Sequence, residues 1–231
     1  PTVGTITSTT VQVPGLTTFG DFAFGEVLTT VYFNIPVAKG WDLISNPFKF
    51  PVPGDSVRQL FPTSLNSFAF EYSGAYLPRA VLENGKGYWE KFPDTVTQTA
   101  TGLALTQYSM NVISGWNMVG TISCVVDVAS IVSVPEGLAG SSWFGYSSGY
   151  NAATQLMPGK GYWIKANTAG QFVLTCPPLG VSKPRRSELR IEDALNSITI
   201  TSSKGESQTL YFGVDLNKNI PVSQYAMPPV P

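Results

Sequence analysis

The chain has 231 residues and a net charge of −1, with charged side chains at 13% of positions and aromatic ones at 12%. Near-neutrality removes the electrostatic reason to expect nucleic acid or an anionic membrane as partner, and no apolar run approaches the roughly 20 residues that span a bilayer as a helix. There is no histidine, which removes Ser-His-Asp and Cys-His catalysis and most zinc sites together.

With 22 Gly and 18 Pro, abundant Thr, Ser and Val, and no long helix-forming runs, the chain reads as short strands joined by many turns. Residues 1–27 are extended in pattern (Thr2 to Thr7, Val11 to Val13, Phe22 to Phe24) and resemble nothing further along. They are expected to be N-terminal strands, the end of a preceding domain. A period-2 strand follows, with Val31, Phe33, Ile35 and Val37 on one face, then a Gly40-Trp41 strand. Residues 55–62 begin with an N-cap type residue and stop at Pro62, which predicts one short helix. An aromatic strand from Phe68 to Tyr72, a Ser-Gly turn, Tyr76, and a tight turn at Asn84-Gly85 lead to the strand Gly87-Tyr88-Trp89.

The same series then repeats. Gly85-Lys86-Gly87-Tyr88-Trp89 recurs 74 positions later as Gly159-Lys160-Gly161-Tyr162-Trp163, and Gly40-Trp41 recurs 75 positions later as Gly115-Trp116. Tyr108, Met110 and Val112 answer the first strand, residues 127–135 answer the helix, and Trp143 to Tyr146 and Tyr150 answer the aromatic hairpin. Two homologous units are therefore expected, at residues 28–99 and 100–180. Residues 181–231 are expected to form a linker, a β-hairpin flanking Ser203 to Glu206, and a Pro-rich tail that reads as part of a longer protein. The predicted class is all-β, a β-sandwich built from two tandem units with one short helix each. What repeats is glycine and aromatics, the mark of a scaffold.

Cys124 and Cys176 are the only cysteines. An even count in a low-charge, Ser/Thr/Gly-rich chain suits an oxidising compartment, so a disulfide is expected, with two buried thiols as the alternative. The paired acids Glu71 with Glu83 and Asp42 with Asp55 are the candidates for acid–base chemistry, yet the second unit has Gly145 and Met157 opposite Glu71 and Glu83. Gly-Lys-Gly lacks the Walker spacing and opens a strand, so its glycines are expected to serve a turn. Asp215, Asn217 and Asn219 lack the Gly and distal Glu of a calcium loop, and Lys183 to Arg190 reads as a solvated linker. No cofactor or metal is expected. The aromatics Trp41, Trp89, Trp116, Trp143, Trp163, Tyr76 and Tyr150 are either core or a sugar-stacking platform. The lysines Lys91 and Lys165 are expected to lay their stems over Trp89 and Trp163.

The paired Gly-Trp-Asp/Asn-Leu/Met-Ile/Val stretches, each followed by Gly-Lys-Gly-Tyr-Trp, resemble a module of large secreted and cell-surface proteins of bacteria and archaea. The tail from Leu210 to Val214 with Tyr225 to Pro231 resembles the stretch that precedes the sorting domain of type IX secretion cargo. These resemblances imply an extracellular address and β-rich modules, and they carry no catalytic residues. The expected function is a non-catalytic structural or adhesive module that meets neighbouring domains or copies of itself, self-associating through strand edges. A carbohydrate-binding module contacting surface polysaccharide is the alternative.

Overall fold

The computed structural model describes residues 29–177, 196–201 and 207–212. The first unit comprises β1 (Thr30–Val37), β2 (Gly40–Ser45), β3 (Phe48–Val52), the one-turn helix α1 (Val57–Leu60), β4 (Ala69–Tyr72), β5 (Tyr76–Arg79), β6 (Gly87–Phe92) and β7 (Val96–Ala104). All pairings are antiparallel, in two sheets of order β1-β7-β3 and β2-β6-β4-β5. Alternation along β1 turns Ile35 and Val37 inward, where with Phe48 and Ala100 they meet Ile44, Ala69, Tyr88 and Phe92 of the second sheet. Two sheets closed over one apolar layer make a sandwich.

The second unit comprises β8 (Gln107–Val112), β9 (Gly115–Val119), β10 (Val126–Asp127), β11 (Val132–Val134), β12 (Trp143–Tyr146), β13 (Tyr150–Ala153), β14 (Gln155–Leu156), β15 (Tyr162–Ala166) and β16 (Gly170–Thr175). Its sheets have the order β11-β16-β8 and β13-β12-β15-β9, with β10 paired to β14. Met110, Val112, Phe172 and Leu174 meet Val119, Trp143, Tyr162 and Ile164 in its own core.

Three details differ from the sequence reading. Strand β7 stays paired with β1 and β3 as far as Ala104, so the first unit's sheet runs past residue 99. The first helix is capped by Ser56, whose Oγ donates to Gln59 Oε1 (2.7 Å), rather than by Asp55. The second unit has only a 3-10 turn, Val128–Ser130, with Asp127 accepting from the Ala129 N–H (3.0 Å). Residues 132–134, expected to continue a helix, form β11 instead. Val132 and Val134 are β-branched, and β16 offers them an edge. In the first unit that edge is taken before the helix, by β3.

The expected C-terminal hairpin is present as β17 (Asn196–Thr201) against β18 (Ser207–Phe212), antiparallel with Asn196 opposite Phe212. The expected N-terminal strands at residues 1–27, the Lys183–Arg190 cluster and the Asp215–Asn219 stretch lie outside the described residues.

Candidate functional site

A third apolar cluster lies between the units. Leu43, Trp89, Met118, Tyr150 and Trp163 are its buried members, and Trp41, Phe70, Tyr72, Tyr76, Trp116, Phe144 and Tyr146 pack against them. All come from the two four-stranded sheets, whose outer faces therefore meet. The strand period of two explains the Tyr-Trp dipeptide: Tyr88 and Tyr162 point into their own units' cores, while Trp89 and Trp163 point the opposite way, into this seam. Each tyrosine hydroxyl in the unit cores is satisfied alike, accepting from the N–H of Glu83 (3.0 Å) or of Met157 (2.9 Å).

The seam has quasi-twofold symmetry. Trp89 lies edge-on to Tyr146, with ring centroids 4.7 Å apart, and Trp163 lies edge-on to Tyr72 at 5.0 Å. Tyr146 and Tyr72 are the same position of the two units. The Ser45 N–H donates to Gly159 O (2.9 Å), and at the matching positions the Gly120 N–H donates to Gly85 O (3.1 Å). Bridges join Ile44 to Lys160 and, symmetrically, Val119 to Lys86.

The Gly-Lys-Gly turns are what allows this approach. Gly85 (φ 76°) and Gly159 (φ 81°) turn the chain in the left-handed region that favours glycine. A Cβ at Gly87 would lie 2.6 Å from Val119 O, and one at Gly161 would lie 2.9 Å from Ile44 O, both backbone atoms of the opposite unit. The motif that invites a phosphate-loop reading is thus a clasp between units.

Polar groups break the symmetry. Lys160 crosses the seam to Asp42, 2.8 Å away, whose carboxylate also accepts from the N–H groups of Ala38 and Leu43. Asn117 stands where the second unit would need an equivalent acid, and it hydrogen-bonds Ile113 and Gly115 instead. Lys86 accordingly stays in its own unit, between Glu83 (2.8 Å) and Glu71 (3.3 Å), with Arg79 also on Glu71 (2.9 Å). Burial pulls the Glu71 carboxyl upward, but the bond from Arg79 and the charge of Lys86 outweigh it and hold the acid below its usual range. The acid pair Glu71 with Glu83 is therefore neutralised by Lys86, a poor setting for proton transfer. Asp42 is committed to Lys160, and Asp55 is exposed. Among the described residues no cluster of three or more Cys, Asp or Glu could hold a metal ion, and no helix is long and apolar enough to cross a membrane.

The aromatics named as glycan contacts divide. Trp89, Trp163, Trp143 and Tyr150 are buried and present no ring face to a sugar. Trp143 lies in the second unit's core, edge-on to Phe172 at 5.1 Å, and outside the seam. Trp41, Trp116 and Tyr76 are half-buried at the seam's margin. Lys91 lies 5.8 Å over Trp41, its register partner on β2, and not over Trp89 as expected, because Trp89 is covered by the other unit. The buried indole nitrogens of Trp89 and Trp163 have no hydrogen-bond partner among the described residues. Burial raises the pKa of the Tyr76 and Tyr150 phenols above its ordinary value.

Cys124 and Cys176 form a disulfide, with Cα atoms 5.8 Å apart. It ties the segment after β9 to the end of β16, beside the Cys176 N–H bond to Thr106 O (2.8 Å). Sequence reasoning missed the Asp42–Lys160 pair and the buried acid Glu90. Both were detectable as differences between the copies: Asp42 against Asn117, and Glu90 against Ile164.

Compared with known proteins, the chain matches no family model, no curated protein and no solved structure.

Proposed function

We propose that this chain is a non-catalytic structural or adhesive module of a larger extracellular protein, joined to neighbouring domains or to copies of itself. The observation that carries the reading is the use made of the duplicated residues. The glycines and tryptophans of Gly85 to Trp89 and of Gly159 to Trp163 hold one unit to the other, and the tyrosines between them fill the unit cores. The disulfide suits an oxidising, extracellular compartment. The sequence resemblances to surface modules and to type IX cargo favour the same address.

Strand edges support self-association, most readily in the second unit. Pro36 on β1, Pro51 on β3 and Pro78 on β5 sit on edge strands of the first unit, and proline has no N–H to offer a new strand. The edge strands β8, β9, β11 and β13 carry no proline.

Carbohydrate binding is the second reading, supported by the half-buried Trp41 and Trp116. The two readings separate by experiment. Trp89→Ala should cost about 3–5 kcal/mol of stability, read as a lower melting temperature, while the wild-type chain gives no hit on a glycan array. Unchanged melting together with a polysaccharide hit that Trp41→Ala abolishes would replace the structural reading by the carbohydrate-binding one.

A further inference from the structure

The two unit cores differ at three matched positions. Where the second unit has Trp143, Ile164 and Phe172, the first has Ala69, Glu90 and Gln98. The second unit fills that space with apolar side chains, Trp143 lying against Phe172. The first covers it with the 61–67 segment between α1 and β4, which is pinned from inside. The Thr63 N–H donates to Gln98 Oε1 (3.3 Å), the Asn66 N–H to Glu90 Oε1 (3.3 Å) and the Leu65 N–H to Lys91 O (2.8 Å). Arg58 donates from outside to Ser64 O (2.7 Å) and Leu65 O (3.1 Å).

Beneath this cover Glu90 is wholly buried, and Gln98 is 4% exposed. Glu90 Oε2 and Gln98 Nε2 have no hydrogen-bond partner. A neutral acid tolerates such a place, whereas a carboxylate there has no donor on Oε2 to replace its hydration.

We infer that the first unit carries a pH-graded latch, in which the 61–67 segment closes over a protonated Glu90 and loosens as that acid ionises. The step is loss of one proton from the Glu90 carboxylic acid to water. The carboxylate left behind needs water, and lifting the segment admits it without breaking either sheet. Few charges oppose this. Arg58 on α1 is the cation acting on Glu90, and its guanidinium is held by the carbonyls of Ser64 and Leu65. Asp42, the register partner on β2, is matched by Lys160. Gln98 on β7 is neutral, and Lys91 acts through its backbone N–H.

The direction of the response follows from linkage. Burial pushes the Glu90 carboxyl up to about 7, against the opposing effect of the Lys91 and Asn66 N–H groups and the Arg58 charge. With the segment lifted and water present, the carboxyl returns to about 4.3. The closed form holds the proton more tightly, so closure is firmest below about pH 4.3. It weakens roughly tenfold per pH unit up to about 7 and is then constant.

Hydrogen exchange on the full chain tests this. Protection of the Thr63, Leu65 and Asn66 amides, corrected for intrinsic exchange, should fall about fortyfold from pH 5 to pH 7. In Glu90→Gln the fall should vanish. Carboxyl NMR of the wild type gives a readout independent of any variant's folding, and the Glu90 signal should titrate with a midpoint near 7. Constant protection in the wild type, an equal fall in Glu90→Gln, or a Glu90 midpoint below about 5 would each overturn the latch.

Discussion

Replacing Gly87 by alanine tests the clasp between the units directly. The added Cβ would stand 2.6 Å from Val119 O and 3.0 Å from Met118 Cγ. Ordinary contact needs about 3.4 Å or more, so one backbone must move by roughly 0.8 Å against the partner's strand. Val119 has little freedom to give, because β9 is paired along its length with β15, Tyr162 opposite Val119 and Trp163 opposite Met118. Overpacking of this kind costs about 1–3 kcal/mol. Since the atom met is a main-chain carbonyl, the upper half of that range is expected. For a chain of this size each kcal/mol lowers the melting temperature by about 2–4 °C, giving a drop of roughly 4–12 °C. Gly161→Ala should behave alike, because its Cβ meets Ile44 O at 2.9 Å across the same seam. Gly137 serves as the control. Its φ is 73° and its Cβ would meet nothing within 4 Å, so alanine there introduces backbone strain of about 1–2 kcal/mol without disturbing the seam. Thermal melting should be followed together with near-ultraviolet circular dichroism, which reports the packed Trp and Tyr rings. The seam variants should lose aromatic signal as well as stability, whereas Gly137→Ala keeps the signal. Gly87→Ala and Gly161→Ala melting within 1 °C of wild type, with unchanged spectra, would refute the clasp.

The cross-unit ion pair yields a second test. Lys160→Met leaves Asp42 buried and unpaired and should cost about 3 kcal/mol by chemical denaturation, while Lys86→Met, which breaks a more exposed pair, should cost under about 1 kcal/mol. Adding Asp42→Asn to Lys160→Met should recover most of the loss, since Asn117 already fills that position in the second unit; no recovery would place the cost elsewhere. Reducing the Cys124–Cys176 bond opens a loop spanning a separation of 52 residues, and by chain entropy it should cost about 4 kcal/mol. Equal melting of reduced and oxidised protein would show that the bond contributes nothing.

The strand content, the duplication and the inward faces are legible in the residues alone. Val31 to Val37 and Tyr108 to Val112 alternate with a period that only a half-buried strand satisfies, and a repeat of glycines and rings spaced 74 or 75 residues apart can only mean one unit made twice. The sequence likewise marked Gly85 and Gly159 as turn residues and favoured a disulfide over two buried thiols, because both inferences depend on local chemistry or on a count of two. Whether Trp89 faces water, a ligand or another unit is a different kind of question. Period two says that Trp89 and Tyr88 point to opposite sides; it says nothing of what stands on either side. Only the packing of one four-stranded sheet on the other decided that both tryptophans are buried and that Lys91 covers Trp41. The same holds for residues 132–134, which became a strand because β16 had a free edge, and for Asp42 and Lys160, which lie 118 positions apart. Contacts between distant parts of a chain depend on how whole layers stack, and no local pattern encodes that stacking. The differences between the copies come nearest to doing so: Glu90 for Ile164, Gln98 for Phe172 and Asn117 for Asp42 mark in the sequence where the tertiary structure departs from its own symmetry.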